Sequence, residues 1–521
     1  MTLFFAALLA GGAVVQGPVA PPAPRLVVLI AVDQMRADYL ARFAPQWTGG
    51  FARIYHGGTV FAQGQQDHAA TETAPGHSTM LSGRYPTHTG IALNNRGVQD
   101  RTSLMVGSTT DTIGASPHRF RGTALYDWML ARDPNTRVLS VSRKDRAAIF
   151  PIGRARVPVY WFYDGAFTTS RYYSDSLPAW VQAFNARRDA TRIAGMTWNL
   201  LLPDTAYPEP DSVPFENGGN DFAFPHHLSG NPLTAERELY QMPWIDSLTL
   251  AFALTGVNAL HVGGRTGTDL LSISLSTTDA IGHAFGPDSR EIHDQLLRVD
   301  RWVGQFLDSL AQIVPAANTV LVLTADHGVT ALPEYAVLVR HQRAGRVGLI
   351  GVARGAATVL GRRTPGDFAI EADGGLITAD LDALRSHRVD ADSLAAALAA
   401  EAAALPGVAR VYTARTLALA PTSDADAELW RRLLPPDLGW LICAVTQPGY
   451  VWSGGGFSAE HGGAHPEDIA VPIAFYGPGI RAQLVARPVS TVDIGPTLAA
   501  LIGVRPTEAL DGHVLREVVG R

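Results

Sequence analysis

Three apolar stretches of this chain each lead into an aspartate. The stretch LVVLIAV precedes Asp33, LLSISLSTT precedes Asp279, and TVLVLTA precedes Asp326. Near-continuous apolar runs are typical of strands that are buried on both faces of a parallel sheet. In open α/β sheets the ligand site lies beyond the carboxyl ends of the strands. The sequence therefore predicts three carboxylates at one edge of a single sheet.

Histidines accompany two of these aspartates. His327 directly follows Asp326, and His283 follows Asp279 by four residues. One aspartate alone would be explained as a turn or helix-cap residue, whereas three aspartates with two histidines predict a metal site. The chain has a single cysteine, Cys443, which excludes an intrachain disulfide and a thiolate metal cluster. The ligands of any metal here must therefore be Asp, Glu and His.

The stretch TETAPGH, residues 71–77, predicts a loop that opens a short helix over residues 75–82, with Gly83 as its stop. Proline is favourable in a first helical turn because its missing N–H would be unpaired there. A hydroxyl at a helix N-terminus faces free backbone N–H groups and the positive end of the dipole, which suits an anion. On this motif alone Thr73 would be explained as a helix cap. A nearby metal would make the hydroxyl of Thr73 a nucleophile by lowering its pKa.

The longer stretch TETAPGHSTMLSGRYPTHTG, with Asn94 twenty-one residues after Thr73, resembles the alkaline phosphatase superfamily. The resemblance runs from residue 26 to residue 502. It implies that Thr73 takes the phosphoryl group, as a threonine or serine does in the phosphatases and nucleotide pyrophosphatase/phosphodiesterases of that superfamily. The sulfatase pattern Cys/Ser-x-Pro-x-Arg is absent, because the sequence here reads Thr-Ala-Pro-Gly-His.

The resemblance also implies two zinc ions. The implied ligands of the first ion are Asp33, Asp326, His327 and the Thr73 oxygen, and those of the second are Asp279, His283 and His461. His461 is preferred for the last position because its His-Gly pair stands about ten residues before the strand that starts at a Val-Pro pair, and His465 is the alternative. Zinc with mixed Asp and His ligands and an open position for substrate is chemically reasonable.

The stretch VSRKDRAAIFPIG bears on the substrate. Lys144 and Arg146 alternate along a predicted strand end, so both are expected to face the same side. Together with Asn94 they resemble the phosphoryl-binding residues of PafA-type bacterial alkaline phosphatases. They would raise the formal charge of the metal-loaded site from about +1 to about +3, which suits a dianionic monoester. A diester carries one fewer charge and a second organic group.

The residues and the resemblance together imply a zinc-dependent alkaline phosphatase that hydrolyses small-molecule phosphate monoesters through a covalent phosphothreonine and two-metal catalysis. One alternative is a phosphodiesterase or nucleotide pyrophosphatase on the same scaffold. Another is a metal-dependent phosphate-binding protein without turnover. With a formal net charge of -6, nothing indicates a nucleic-acid partner. The physiological ester, manganese or cobalt in place of zinc, peripheral calcium or magnesium, and the oligomeric state stay open.

The predicted fold is an α/β, three-layer α/β/α sandwich with a mostly parallel central sheet, as in alkaline phosphatases. Strands are expected near residues 26–32, 138–141, 270–276, 319–324 and 469–476. Residues of about 150–245, rich in aromatic clusters, predict a cap over the sheet edge, and about 335–445 predict a small α+β lobe. The length of 521 residues and the 46% hydrophobic content fit a large core.

Residues 1–20 predict a secretory signal peptide, and residues 21–521 the mature catalytic domain. The apolar run over residues 3–15 is too short to span a bilayer comfortably. Small residues and a proline-rich spacer follow it, although no Lys or Arg precedes it. The later sequence contains no apolar segment long enough for a membrane helix. A periplasmic or secreted protein without a membrane span is therefore expected.

Overall fold

The computed structural model describes residues 23–107, 113–363, 369–453 and 456–520. A nine-stranded sheet forms the centre of the molecule. In their order across the sheet, its strands are Gln483–Ser490, Thr59–Gln65, Ile473–Tyr476, Thr319–Thr324, Leu26–Val32, Asp269–Leu275, Val138–Ser142, Val159–Tyr163 and Ala166–Thr168. The predicted signal peptide lies outside the described residues.

The middle of the sheet is parallel. Leu26–Val32 pairs in parallel with Asp269–Leu275 on one side and with Thr319–Thr324 on the other. Asp269–Leu275 continues in parallel to Val138–Ser142. Every residue of Leu26–Val32 is buried, as expected for a strand covered on both faces. The mostly parallel central sheet predicted from the sequence is confirmed.

Helices cover both faces of this sheet. Gly50–Gly57, Trp244–Leu260 and Arg290–Ala311 pack together as one group, and Thr73–Met80, Leu125–Arg132 and Ile494–Ile502 belong to another. The other helices of this part of the chain are Ala37–Arg42, Pro86–Thr89, Asp145–Ile149, Ala179–Asn185, Pro232–Glu238, Thr277–Phe285, Pro333–Leu338, Pro466–Ile469 and Arg516–Val519. None of the described helices is long and apolar enough to cross a membrane.

The region predicted as a cap begins inside the central sheet. Val159–Tyr163 pairs in parallel with Val138–Ser142, and Ala166–Thr168 pairs antiparallel with Val159–Tyr163. The buried aromatics Trp161 and Phe167 join the core of the sheet. The side chains of these two strands therefore extend the main core. A cap over the rest of residues 150–245 stays a prediction.

Residues in the predicted α+β lobe form a second, antiparallel sheet. Its strands, in order, are Glu371–Asp373, Leu376–Thr378, Trp440–Thr446 and Val408–Thr413. The helices in this part of the chain are Ile350–Arg363, Leu381–Ser386, Ala391–Ala403, Ala414–Leu419 and Ala425–Leu433. One face of the sheet has a core separate from that of the central sheet. The bounds of 335–445 for an inserted lobe stay a prediction.

The helix Thr73–Met80 packs closely against the end of a central strand. A Cβ added at Gly76 would lie 2.2 Å from the backbone oxygen of Asp326 and 2.8 Å from its Cβ. Real Cβ atoms do not approach backbone this closely, so only glycine allows the contact. This glycine therefore sets the distance between the threonine motif and one of the predicted metal ligands.

We predict that Gly76→Ala destabilises the protein by about 1–3 kcal/mol, because overpacking forces the helix away from the strand end. The control is Gly355→Ala in the helix Ile350–Arg363, where the nearest atom to an added Cβ is 3.9 Å away. That change should be neutral or stabilising by up to about 1 kcal/mol. Thermal unfolding of both variants measures the difference, and equal stabilities would contradict the packing argument.

Candidate active site

The three aspartates meet at the carboxyl edge of the parallel strands. Asp33 directly follows its strand, and its backbone N–H donates to the carbonyl oxygen of Leu275 at 2.9 Å. Asp326 stands two residues beyond the strand that ends at Thr324, and Asp279 lies in the first turn of the helix Thr277–Phe285. All three aspartates are at most 5% exposed. The predicted convergence of carboxylates at one edge is confirmed.

Thr73 is the first residue of its helix and is buried. The helix begins two residues earlier than predicted, so the Thr73 hydroxyl lies at the helix N-terminus rather than before it. Asn94 stabilises this end, because its Oδ1 accepts a hydrogen bond from the Ala74 N–H at 2.8 Å. That bond fixes the orientation of the amide and leaves its NH₂ group as the donor. The Glu72 carboxylate accepts a hydrogen bond from the Asn94 backbone N–H at 2.6 Å.

Lys144 joins the threonine to two of the aspartates. Its Nζ lies 3.1 Å from Thr73 Oγ1, 2.7 Å from Asp279 Oδ2 and 2.6 Å from Asp33 Oδ2. The expectation that Lys144 and Arg146 alternate along a strand end is wrong. The strand ends at Ser142, and Arg146 lies in the short helix Asp145–Ile149. Both side chains nevertheless line the same pocket, together with Thr73 and Asn94.

The three predicted histidine ligands are held in the same way. The Nδ1 atoms of His283, His327 and His461 lie 2.8, 2.9 and 2.7 Å from the backbone oxygens of Ala459, Gly328 and Thr71, respectively. A carbonyl oxygen only accepts, so Nδ1 carries the hydrogen in each neutral ring and the lone pair lies on Nε2. Backbone partners of this kind orient metal-binding histidines in known metal sites.

Within the part of the chain that the structure describes, two groups of side chains have the geometry to hold a metal ion. Asp279, His283 and His461 form one group, and Asp33, Asp279 and His327 form the other, with ligand atoms within 4.8 Å of one another in each. Asp279 is common to both groups, whereas the sequence resemblance gave it to one ion only. Asp326 Oδ2 lies 3.6 Å from His327 Nε2, close enough to share an ion with it.

The same atoms fit a cation on chemical grounds. Among the residues that the structure describes, Asp33 Oδ1 and His327 Nε2 are buried and have no hydrogen-bond partner, a costly arrangement unless an ion binds them. Burial, and then the neighbouring Asp326 carboxylate, raise the pKa of Asp33 to about 6. Burial also opposes ionisation of Asp279, but Lys144 and His283 outweigh it and hold its pKa well below the usual range. The carboxylates thus depend on nearby positive charge.

The structure separates the two histidines that the sequence left as alternatives. His461 Nε2 lies 3.6 Å from Asp279 Oδ1. His465 Nε2 instead lies 2.7 Å from the hydroxyl of Thr446, on a strand of the second sheet. His461 is therefore the histidine that lies with His283 and Asp279, although its role as a ligand stays a prediction.

Two residues that sequence reasoning did not assign to the site orient its carboxylates. Gln34 donates from its backbone N–H to Asp326 Oδ1 and from its side-chain amide to Asp279 Oδ1, both at 3.1 Å. His77 Nδ1 lies 3.2 Å from Asp326 Oδ2 and 2.9 Å from the Thr73 carbonyl oxygen. The position of Gln34 directly after Asp33 was the only sequence signal for its part in the site. His77 was visible in the threonine motif, but its contact with Asp326 depends on the fold.

Comparison with known proteins places this geometry in a family. Residues 27–451 match the family described as type I phosphodiesterase / nucleotide pyrophosphatase. The chain belongs to this family. The alkaline phosphatase PhoK of Sphingomonas sp is 32% identical over 96% of this chain and 93% of its own length. The alkaline phosphatase PafA of Elizabethkingia meningoseptica is 29% identical over 96% of both chains.

A crystal structure of wild-type PafA superposes with a TM-score of 0.89 at 28% identity, covering 96% of this chain and all of that one. The α/β fold of the alkaline phosphatase type is therefore confirmed, as is the resemblance to PafA-type enzymes. The expectation of a hydrolase of the alkaline phosphatase type is confirmed by the same relatives.

We predict that His461→Ala weakens zinc binding at one of the two groups by at least about tenfold, since changes even to partners of metal ligands cost that much. His465→Ala is the matched control and should keep the zinc affinity of the unchanged protein. Zinc titration against a competing chelator measures both. A loss of zinc affinity in His465→Ala, with no loss in His461→Ala, would identify His465 as the ligand instead of His461.

Proposed function

We propose that this hydrolase is a zinc-dependent alkaline phosphatase that cleaves phosphate monoesters with Thr73 as its nucleophile. The observation that carries the proposal is the 3.1 Å distance between Lys144 Nζ and Thr73 Oγ1. Arg146 and Asn94 line the same pocket, whose volume is about 420 Å³. A nucleophile beside two cationic side chains and an amide donor suits a phosphoryl group. The relatives named alkaline phosphatases support the same assignment.

The charge at the pocket favours monoesters over diesters. A monoester dianion presents three non-bridging oxygens, and Lys144, Arg146 and the Asn94 amide supply donors for them. Charge-assisted hydrogen bonds of this kind are about twice as strong as neutral ones. A diester has two non-bridging oxygens and a second organic group in place of the third. The cationic donors thus match the monoester better.

The proposed metal ligands are those that the sequence indicated, and the orphaned atoms of Asp33 and His327 support them. One zinc ion would be held by Asp33, Asp326 and His327 with the Thr73 oxygen, and the other by Asp279, His283 and His461. When bound, the two ions would supply the positive charge that favours the ionised Thr73 oxygen and the departing ester oxygen.

Thr73 would then carry the reaction in two steps. Its Oγ forms a bond to phosphorus as the bond from phosphorus to the ester oxygen breaks, and the hydroxyl proton ends on the released alcohol. Water next forms a bond to phosphorus as the bond from phosphorus to Thr73 Oγ breaks. A proton from that water restores the Thr73 hydroxyl, and inorganic phosphate leaves. The helix N-terminus at Thr73 favours the negative charge that gathers there. Lys144 and Arg146 hold the phosphoryl oxygens through both steps.

The second candidate is a phosphodiesterase or nucleotide pyrophosphatase, which the description of the matching family favours. A phosphate-binding protein without turnover has less support, because the proposed nucleophile and the two ligand groups lie together. Lys144 and Arg146 distinguish a monoesterase from a diesterase, because a diesterase depends less on these two cationic side chains.

We predict that the double variant Lys144→Ala, Arg146→Ala loses about 100-fold or more in kcat/KM for p-nitrophenyl phosphate, the cost typical of removing transition-state donors. The loss for bis-p-nitrophenyl phosphate should be about tenfold or less. The control is Arg154→Ala, which removes an exposed arginine outside this pocket. The unchanged enzyme should prefer the monoester. Preference for the diester, or equal losses for both substrates, would favour the phosphodiesterase.

We further propose that the protein is secreted or periplasmic, on the basis of the signal-like sequence over residues 1–20. Expression with the full leader should give a mature chain that begins near residue 21 and is recovered from the periplasm or the medium. An uncleaved chain in the cytoplasm would contradict the proposal. Intact mass after fractionation measures the outcome.

A further inference from the structure

The outer part of the pocket contains residues for which the reaction itself has no use. They come from the second sheet and from the segment before His461. The lining residues beyond the reacting groups include Asp373, Gly374, Trp452, Phe457 and Glu460. Because the proposed reaction assigns Thr73, Asn94, Lys144 and Arg146 to the phosphoryl group, the remaining lining is left for the alcohol part of a bound ester. The chemistry of this lining therefore bears on which alcohols the site accepts.

Phe457 presents an aromatic face at this end of the pocket. Its ring stacks on the imidazole of His283, with the ring centroids 4.3 Å apart and the planes inclined at 28°. Phe457 is nevertheless 48% exposed. One face of the ring is occupied by His283, so the other is available to a flat group. Offset stacking on that face would favour an aromatic alcohol.

Trp452 forms a fixed second wall. It is only 5% exposed, and its indole packs against the turn at Gly374 and Gly375. A Cβ added at Gly375 would lie 3.0 Å from two indole carbons. Gly375 therefore lets the indole approach the turn that carries Asp373 into the pocket.

Carboxylates surround this aromatic wall. Asp373 and Glu460 line the pocket, in addition to Asp279, which is bound by Lys144. The lysine and arginine side chains in the lining are Lys144, whose Nζ lies 3.1 Å from Thr73 Oγ1, and Arg146. One phosphoryl group therefore meets positive charge, whereas a second phosphate on the alcohol part would meet carboxylates. At the same separation, like charges repel each other more strongly in a partly buried pocket than in water.

We infer that the preferred substrates are monoesters of uncharged, ring-bearing alcohols, such as aryl phosphates or nucleoside monophosphates, and that Asp373 and Phe457 set this preference. The inference rests on the proposed phosphatase function. Phe457 attracts the ring of the alcohol, and Asp373 repels alcohols that carry a further phosphate. Nucleoside diphosphates are therefore poorer substrates than monophosphates, although the nucleoside monophosphate that they release is a better leaving group than a nucleoside.

The test of the charge preference compares AMP with ADP. The unchanged enzyme should show a kcat/KM for AMP about three- to tenfold above that for cleavage of the terminal phosphate of ADP. Asp373→Asn keeps the shape of the side chain and should reduce this preference at least by half. Asp382→Asn is the control, because Asp382 lies on the same lobe, is 85% exposed and pairs with Arg385. It should leave the preference unchanged.

The test of the aromatic preference compares phenyl phosphate with glycerol phosphate. Phe457→Ala should lower kcat/KM for phenyl phosphate about fivefold relative to glycerol phosphate, the size of one aromatic stacking contact. Phe457→Tyr keeps the ring and should restore the ratio. Ratios within each variant cancel any general loss of folded or metal-loaded protein.

Turnover of p-nitrophenyl phosphate distinguishes a failure of the inferred substrate preference from a failure of the proposed phosphatase function. If the enzyme cleaves it but treats AMP and ADP alike, or if Asp373→Asn and Phe457→Ala leave their ratios unchanged, the inference is overturned and the phosphatase assignment stands. If the zinc-loaded enzyme releases no phosphate from any of these esters, the proposed function fails and the inference fails with it.

Discussion

The site depends on the cost of holding three carboxylates together out of water. Asp33, Asp279 and Asp326 converge because three neighbouring parallel strands end at one edge, and burial leaves them little solvent to screen their repulsion. Positive charge must therefore lie among them, and the Lys144 ammonium already contacts two of the three. His283 and His327 can each coordinate a divalent ion through Nε2, because Nδ1 lies against a backbone oxygen. Bound ions would add further positive charge among the carboxylates. Such a concentration of positive charge would suit the phosphate dianion of the proposed reaction.

The sequence allowed the centre of the fold to be predicted because its strands are buried on both faces. Leu26–Val32 and Thr319–Thr324 begin and end where the apolar runs do. Thr59–Gln65 was missed, since TVFAQGQ alternates poorly and has two exposed residues in its middle. Gln483–Ser490, at the sheet edge, was missed for the same reason. The strand Val159–Tyr163 was assigned to the cap because its aromatics give no sign of which core they join.

The site itself could be predicted where a residue belongs to a local motif. Asp33, Thr73 and the Asp326-His327 pair stand at strand ends or helix starts, so local sequence places them. The arrangement of Lys144 and Arg146 was only partly predicted, because the strand ends earlier than the alternation suggested. Gln34 and Asp373 escaped prediction, since one acts through hydrogen bonds across the sheet edge and the other reaches the pocket from a separate sheet. Contacts of that kind are set by tertiary packing, which a single sequence does not reveal.

The central claim is that Thr73 carries the phosphoryl group, and direct detection of that group tests it. The zinc-loaded enzyme is mixed with p-nitrophenyl phosphate, quenched in acid within one turnover, digested and analysed by mass spectrometry. We expect phosphate on the peptide that contains Thr73, retained in Thr73→Ser at the same position. Thr73→Ala should lose both the label and about 100-fold or more of the turnover. Full turnover by Thr73→Ala, or by the unchanged enzyme with label only at another residue, would show that Thr73 is not the nucleophile.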